Sequence, residues 1–339
     1  MSGERMWIEM AEQPARLEQL ISRSREISER TRELAPAPMH GVTIIARGSS
    51  DHAATYGRYL LEVATGLPVS LAAPSLQTLY RVPVDYRGQL VVAVSQSGRT
   101  PEIVRTFERL RAAGGRGIAI TNDPASPLGA AADAVIELGV GEELAVPATK
   151  TVTAQFVAFA LLSQALGPVP FSLDDLRALP AVVAELLGEY RLAASAAEAL
   201  VGASHMIVVA RGFLYGAALE CALKIKETCS LLADGYSSAD LRHGPIAAVT
   251  RDFPVLALIG PGPAHDDLVA LVSELGERQA RVFTVSTDSG ADVSLPAAVP
   301  EALLPIAAVV RGQQLAHALA LALGRDPDRP AGLRKVTVT

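Results

Sequence analysis

The stretch ALECALKIKETCS places Glu220, Lys224 and Glu227 at i, i+4 and i+7, on one face of a helix. A row of charges like this is usually a solvated, ion-paired surface. Here Leu219, Ala222, Leu223 and Ile225 make the rest of the helix apolar, which instead places the charges beside a cleft, where a carboxylate can move protons. Downstream, SSADLRHGP sets His243 before Gly244-Pro245, a turn that holds an imidazole in a loop as a candidate base. His52 and His317 read more simply as structural histidines. A third feature is hydroxyl-rich. The apolar run VVAV ends in SQSGRT, which offers Ser95, Gln96, Ser97 and Thr100 around Gly98, and Gly48-Ser49-Ser50 closes another apolar run. Serines in such places are commonly helix N-caps. Two donor loops at strand ends, each opening a helix, suit a phosphate monoester. Neither a GxxxxGK[ST] nor a GxGxxG motif is present, so a small phosphorylated metabolite fits better than a nucleotide. The tail PDRPAGLRKVTVT carries Lys335 in what reads as a short extended run. It is either a frayed terminus or a lid bearing an amine, with a Schiff base within its chemistry.

These residues need elements to position them. The polar stretch of residues 1–37 reads as a helical arm for packing or dimerisation. GVTIIARGSS, QLVVAVSQSGRT and RGIAITND read as strands alternating with helices, the signature of a parallel α/β sheet. The order then repeats. Gly48 and Gly212 are 164 residues apart, VVAVSQSG and VLALIGPG share that offset, and Asp123 and Asp288 are 165 apart. A tandem duplication follows, with each half a three-layer α/β domain, at 38–170 and 196–325. Residues 171–195 would be a helical linker and 326–339 a lid tail. The halves differ where chemistry would sit, since Ser95, Gln96 and Ser97 correspond to Ile259, Gly260 and Pro261.

With 339 residues, half of them hydrophobic, the chain can build a large core. A net charge of −6 and 4% aromatic content argue against a nucleic-acid surface. Cys221 and Cys229 form neither a CxxC pair nor a disulfide framework, and the reading is two buried thiols in a reducing compartment. The start MSGERMWIEMAEQ lacks the apolar core of a signal peptide, and no run is long enough for a membrane span. The expectation is a cytoplasmic protein with no membrane or nucleic-acid partner. No His/Cys/Asp spacing resembles a metal site, and no metal or organic cofactor is expected.

RGSSDHA, SQSGRTPEI, PATK, ALKIKE, SSADLRHGP and PAGLRKVTVT follow in order from Arg47 to the C-terminus. Together they resemble tandem sugar isomerase (SIS) domains. The likeness is to the isomerase portion of glutamine–fructose-6-phosphate amidotransferase and, more closely, to stand-alone SIS-type glucosamine-6-phosphate deaminases. The resemblance implies a substrate cradle of Gly48, Ser49, Ser50, Ser95, Gln96, Ser97 and Thr100, with Ala148 of the PATK segment and Val146 just before it. It implies Glu227 as the base moving a proton between C1 and C2, with Lys224 and Glu220 orienting it and the substrate hydroxyls. His243 would open the sugar ring from the other subunit of a homodimer with shared active sites. Lys335 would stand near the open-chain carbonyl. Arg99, Ala148 and Asp240 depart from the synthase pattern, which has SGET, STK and GELKHGP in their places. Position 2 is Ser and no glutaminase domain is present, so synthesis of amino sugar from glutamine is not expected. The implied reaction is deamination of a phosphorylated amino sugar, glucosamine 6-phosphate, to fructose 6-phosphate and ammonia. A fructosamine 6-phosphate deglycase, an aldose–ketose isomerase and a non-catalytic sugar-phosphate sensor are the alternatives.

Overall fold

A computed structural model describes residues 2–335. Three helices open the chain: α1 (Glu4–Ala11), α2 (Gln13–Ser22) and α3 (Ser24–Leu34). The first half then runs β1 (Gly41–Ile45), α4 (Ser49–Thr65), β2 (Val69–Leu71), α5 (Pro74–Thr78), β3 (Gln89–Val94), α6 (Pro101–Ala112), β4 (Arg116–Thr121), α7 (Pro127–Ala131), β5 (Ala134–Glu137) and α8 (Lys150–Leu166). Next come α9 (Leu173–Gly188) and α10 (Tyr190–Leu200). The second half repeats the alternation as β6 (His205–Ala210), α11 (Tyr215–Cys229), β7 (Leu232–Ser237), α12 (Ser238–Arg242), β8 (Pro254–Ile259), α13 (His265–Glu277), β9 (Arg281–Ser286), β10 (Val293–Ser294) and α14 (Leu304–Ala322).

The duplication read from the glycine landmarks is a duplication of topology. One sheet has the order β2-β1-β3-β4-β5 and the other β7-β6-β8-β9-β10, and every pairing is parallel. Both are the doubly wound 2-1-3-4-5 arrangement, whose strand order reverses between the first and third strands. Gly48 and Gly212 lie just beyond the first strand of each sheet, and both have a positive φ, of 60° and 63°. Each landmark is thus a turn position that glycine occupies without strain.

The central strands are apolar on both faces because helices cover both faces. Val91, Ala93 and Ala119 pack with Ile103, Phe107 and Leu110 of α6 on one side of the first sheet. Val209, Val255 and Ala257 pack with Leu268, Leu271 and Leu275 of α13 in the second. Helices α8 and α14 are buried almost all round, and both are mostly apolar, with a few buried polar side chains such as Gln155 and Arg311. Each pairs with the helix that follows the first strand, α8 with α4 and α14 with α11. A Cβ at Gly57 would overlap the Phe159 ring and one at Gly312 the Cys221 sulfur, so each pair closes at a glycine.

The chain divides into two compact units. One gathers 2–14, Leu144–Thr149 and Leu173–Lys335 around the second sheet; the other comprises Ala15–Glu143 and Lys150–Ser172 around the first. Helix α1 of the expected arm thus lies in the unit of the second sheet and α3 in that of the first. Residues 171–195 carry α9 and the start of α10, and from Leu173 on they lie in the unit of the second sheet. The described part of the tail, through Lys335, turns at Pro330 and Gly332, with Leu333 N–H donating to Pro330 O. Most of the extended run read after that turn falls on residues not described. Residues 336–339 of the tail lie outside the described residues.

Candidate functional site

In the first unit, the hydroxyl loops stand at the carboxyl ends of β1 and β3, the adjacent strands that flank the switch point. Open α/β sheets bind ligands at that place. Ser49 and Ser50 begin α4, and Thr100 precedes α6, so both loops lead into long helices whose N-termini favour an anion. The N-cap positions of these helices are Gly48 and Thr100 rather than serines, and neither makes a side-chain cap hydrogen bond. Gly98 has φ of 60°, and a Cβ there would overlap Ser126 Oγ, so this turn requires glycine twice over.

Partners distant in sequence hold the loops. Gln155 on α8 donates to Ser50 Oγ at 3.0 Å. The Gln96 amide donates to the buried Glu143 carboxylate at 2.9 Å, and Glu143 also receives the Thr151 N–H and hydroxyl. Gln96 O accepts from Asn122 N–H and the Thr121 hydroxyl. Ser95 is buried, while Ser49, Ser97 and Thr100 are half-buried. Arg99, which departs from the family pattern, points to Asp123 at 2.8 Å, and Arg47 pairs with Glu102 at 3.0 Å. Asp51 stands in the first turn of α4, where burial pushes its carboxyl up and the neighbouring His52 and Arg47 work against that rise.

In the second unit, α11 sets Lys224 Nζ between two carboxylates, 3.3 Å from Glu220 Oε1 and 2.5 Å from Glu227 Oε2. Burial is graded along this row. Glu220 and Lys224 side chains are 1% exposed, whereas Glu227 is 22% exposed. Burial alone would lower the Lys224 pKa, but the two carboxylates outweigh it and hold the ammonium above its ordinary value. The helix therefore carries a fixed interior cation beside a carboxylate that solvent or a ligand reaches. His243 follows α12 directly, its imidazole exposed and, among the described residues, without a side-chain hydrogen bond. Ser237 caps α12, and Arg242 is held by Asp267 and Glu274, so the loop base is fixed while the imidazole is not.

The same unit contains the segment Leu144–Thr149, with Val146 and Ala148 half-buried. Lys335 Nζ donates to Ala145 O at 2.7 Å, so the tail lysine is brought to the segment Leu144–Thr149. Among the described residues no group of three or more His, Cys, Asp or Glu is arranged to hold a metal ion, and no helix is long and apolar enough to cross a membrane.

The SIS domain family matches residues 38–165 and 199–302, one match over each sheet. This chain belongs to the SIS domain family. Over 351 aligned positions this SIS protein is 33% identical to the isomerizing glutamine–fructose-6-phosphate aminotransferase of Thermus thermophilus, an alignment covering 97% of this chain and 58% of the relative. The chain thus spans little more than half the length of that curated relative. A solved structure from Silicibacter pomeroyi, described as a candidate phosphosugar isomerase, superposes with a TM-score of 0.86 at 30% identity, covering 97% of this chain and all of the other. Glucosamine-6-phosphate deaminase from Thermotoga maritima superposes with a TM-score of 0.81 at 21% identity, covering 99% and 100%. At that identity the likeness is one of fold. The tandem SIS architecture expected from the motifs is the architecture found.

Each unit thus collects its own set. Gly48, Ser49, Ser50, Ser95, Gln96, Ser97 and Thr100 gather at one end of the first sheet, and Glu220, Lys224 and Glu227 gather on α11. Among the interactions of the described residues, none joins His243 to that row. His317 is structural, as read: its ring bonds Gly3 O and the Tyr190 hydroxyl. The sequence reading missed Glu143, Gln155, Glu9 and Asp328. Only the adjacency of Glu143 to the PATK segment was available as a signal for any of them.

Proposed function

We propose that this SIS protein deaminates glucosamine 6-phosphate to fructose 6-phosphate and ammonia. The observation that carries the reading is the row on α11, where a buried ammonium between two carboxylates leaves only Glu227 open to a ligand. The serine loops bind the phosphate. His243 assists ring opening. Glu227 then takes the proton from C2 of the open-chain aldose and returns it to C1, which leaves a C2 imine and a C1 hydroxymethyl group. Water adds to the imine carbon, the C–N bond breaks, and ammonia leaves with the ketose as co-product. Lys224 keeps Glu227 ionised between turnovers, and Lys335 stands at the carbonyl. The fold shared with the Thermotoga deaminase and the identity to an isomerizing aminotransferase support isomerisation of a sugar phosphate. The exposed imidazole of His243 supports a further element of the reading, that it serves the active site of a second copy of the chain.

The test is ammonia release from a panel of glucosamine 6-phosphate, fructosamine 6-phosphates and amine-free hexose 6-phosphates. Ammonia and fructose 6-phosphate from the first substrate are expected. Turnover confined to fructosamines would make the protein a deglycase, and turnover confined to amine-free sugars an isomerase. Binding without turnover of any substrate would make it a sensor.

A further inference from the structure

Lys335 sits on a tail with no helix or strand between Asp326 and itself, yet its ammonium is placed at one main-chain carbonyl. Three carboxylates, on two distant pieces of chain, explain the placement. Asp328, 7% exposed, accepts from Met6 N–H at 2.8 Å and Arg5 N–H at 3.2 Å, so the tail caps the N-terminus of α1. Asp328 O accepts from Val146 N–H at 3.0 Å. Asp326 receives Gly3 N–H and the Ser2 hydroxyl. From the other end of α1, Glu9, 5% exposed, reaches the same crossing segment. It accepts from Leu144 N–H, and each of its oxygens lies 3.3 Å from Ala145 N. The peptide unit on the other side of Ala145 supplies the carbonyl that holds Lys335. All these groups belong to one compact unit.

We propose that Glu9 is a positioning residue for Lys335, acting through the main chain at Leu144 and Ala145. Helix α1 is then a clamp. Its N-terminus grips the tail at Asp328, and its Glu9 fixes the N–H side of Ala145, the residue whose carbonyl holds the lysine. The assignment rests on the reading of Lys335 as the amine at the substrate carbonyl. The tether itself can be measured without substrate.

The test uses full-length Glu9→Gln and Glu9→Ala proteins. Competitive acetylation of the folded protein by acetic anhydride, read lysine by lysine by mass spectrometry, reports how firmly Lys335 is held. Glu9→Gln should raise Lys335 labelling by about fivefold, the ratio that one net hydrogen bond carries, with the exposed Lys226 unchanged as control. In the ammonia assay Glu9→Gln should lower kcat by about tenfold with KM nearly constant, since the phosphate donors are untouched. In a Lys335→Ala background the same substitution should leave kcat unaltered, whereas a merely structural role would lower both backgrounds alike. Glu9→Gln is nearly isosteric, and carries the test if Glu9→Ala does not fold. Unchanged Lys335 labelling in Glu9→Gln, or a rise shared equally by Lys226, overturns the proposal. If the wild type releases no ammonia, the functional reading falls, and the labelling alone still decides the tether.

Discussion

Lys224 Nζ lies 2.5 Å from Glu227 Oε2, one turn apart on α11, and the lysine end of this pair is interior while the glutamate end is open. The pair therefore has a direction. The fixed cation cannot reach bulk water, and the carboxylate it stabilises can reach a ligand.

Glu227→Gln keeps the shape of the side chain and removes the base. The kcat on glucosamine 6-phosphate should fall by at least about 10²-fold, with little change in KM. Wild-type turnover in D₂O should place deuterium at C1 of the product. A kcat within threefold of wild type would reassign the base, with Glu220 next in line.

Replacing Lys224 by Met takes the cation from two carboxylates at once, one of them buried. The cost should be about 3–5 kcal/mol of unfolding free energy. Adding Glu220→Gln should recover a large part of it, because the stranded charge then disappears. Equal denaturation midpoints for the single and double variants would show that the buried row is not electrostatically coupled.

Ser95→Ala with Ser97→Ala removes two hydroxyl donors from the phosphate loop. At about 1.5–3 kcal/mol for a hydrogen bond to a charged group, KM should rise more than about tenfold while folding stability changes little. Ile259→Ala, at the matching place in the second half, should leave KM alone. An unaltered KM in the double serine variant would end the phosphate assignment.

His317 sets a pH limit on stability. Burial holds its pKa below the ordinary 6.5, against the opposing pull of Gly3 O and Asp328. Below about pH 6.5 the unfolded chain binds a proton that the folded chain does not, so stability should fall as pH drops from there toward the lowered folded value. Denaturant midpoints at pH 7.5 and 5.5 should differ more in the wild type than in His317→Gln. Identical pH slopes would assign the dependence to other groups.

If His243 serves a second copy, mixing Glu227→Gln with His243→Ala subunits should restore activity. Each hybrid dimer would hold one intact site and work at about half the wild-type rate. Mass spectrometry would verify subunit exchange. Verified exchange with no recovery would place His243 in the site of its own chain or in none.

Much of this molecule is legible in the sequence because its signals are local or periodic. Strand–helix alternation, the offset shared by Gly48 and Gly212, and the i, i+4, i+7 row on α11 are all fixed by short-range backbone geometry. They determined the doubled parallel-sheet fold, the hydroxyl-rich loops at its strand ends and the identity of the charged row. The tertiary structure decided what that row can do. A helical face does not state which of its members is covered, and packing of α11 on α14 and β7 buries Glu220 and Lys224 while sparing Glu227. The fold also chose the supports: Gln96 with Glu143, 47 residues on; Ser50 with Gln155, 105 on; and Lys335 with Ala145, 190 back. Side chains so far apart share no period and no turn. Their pairing exists only once the core has closed and buried polar groups have had to find partners away from water.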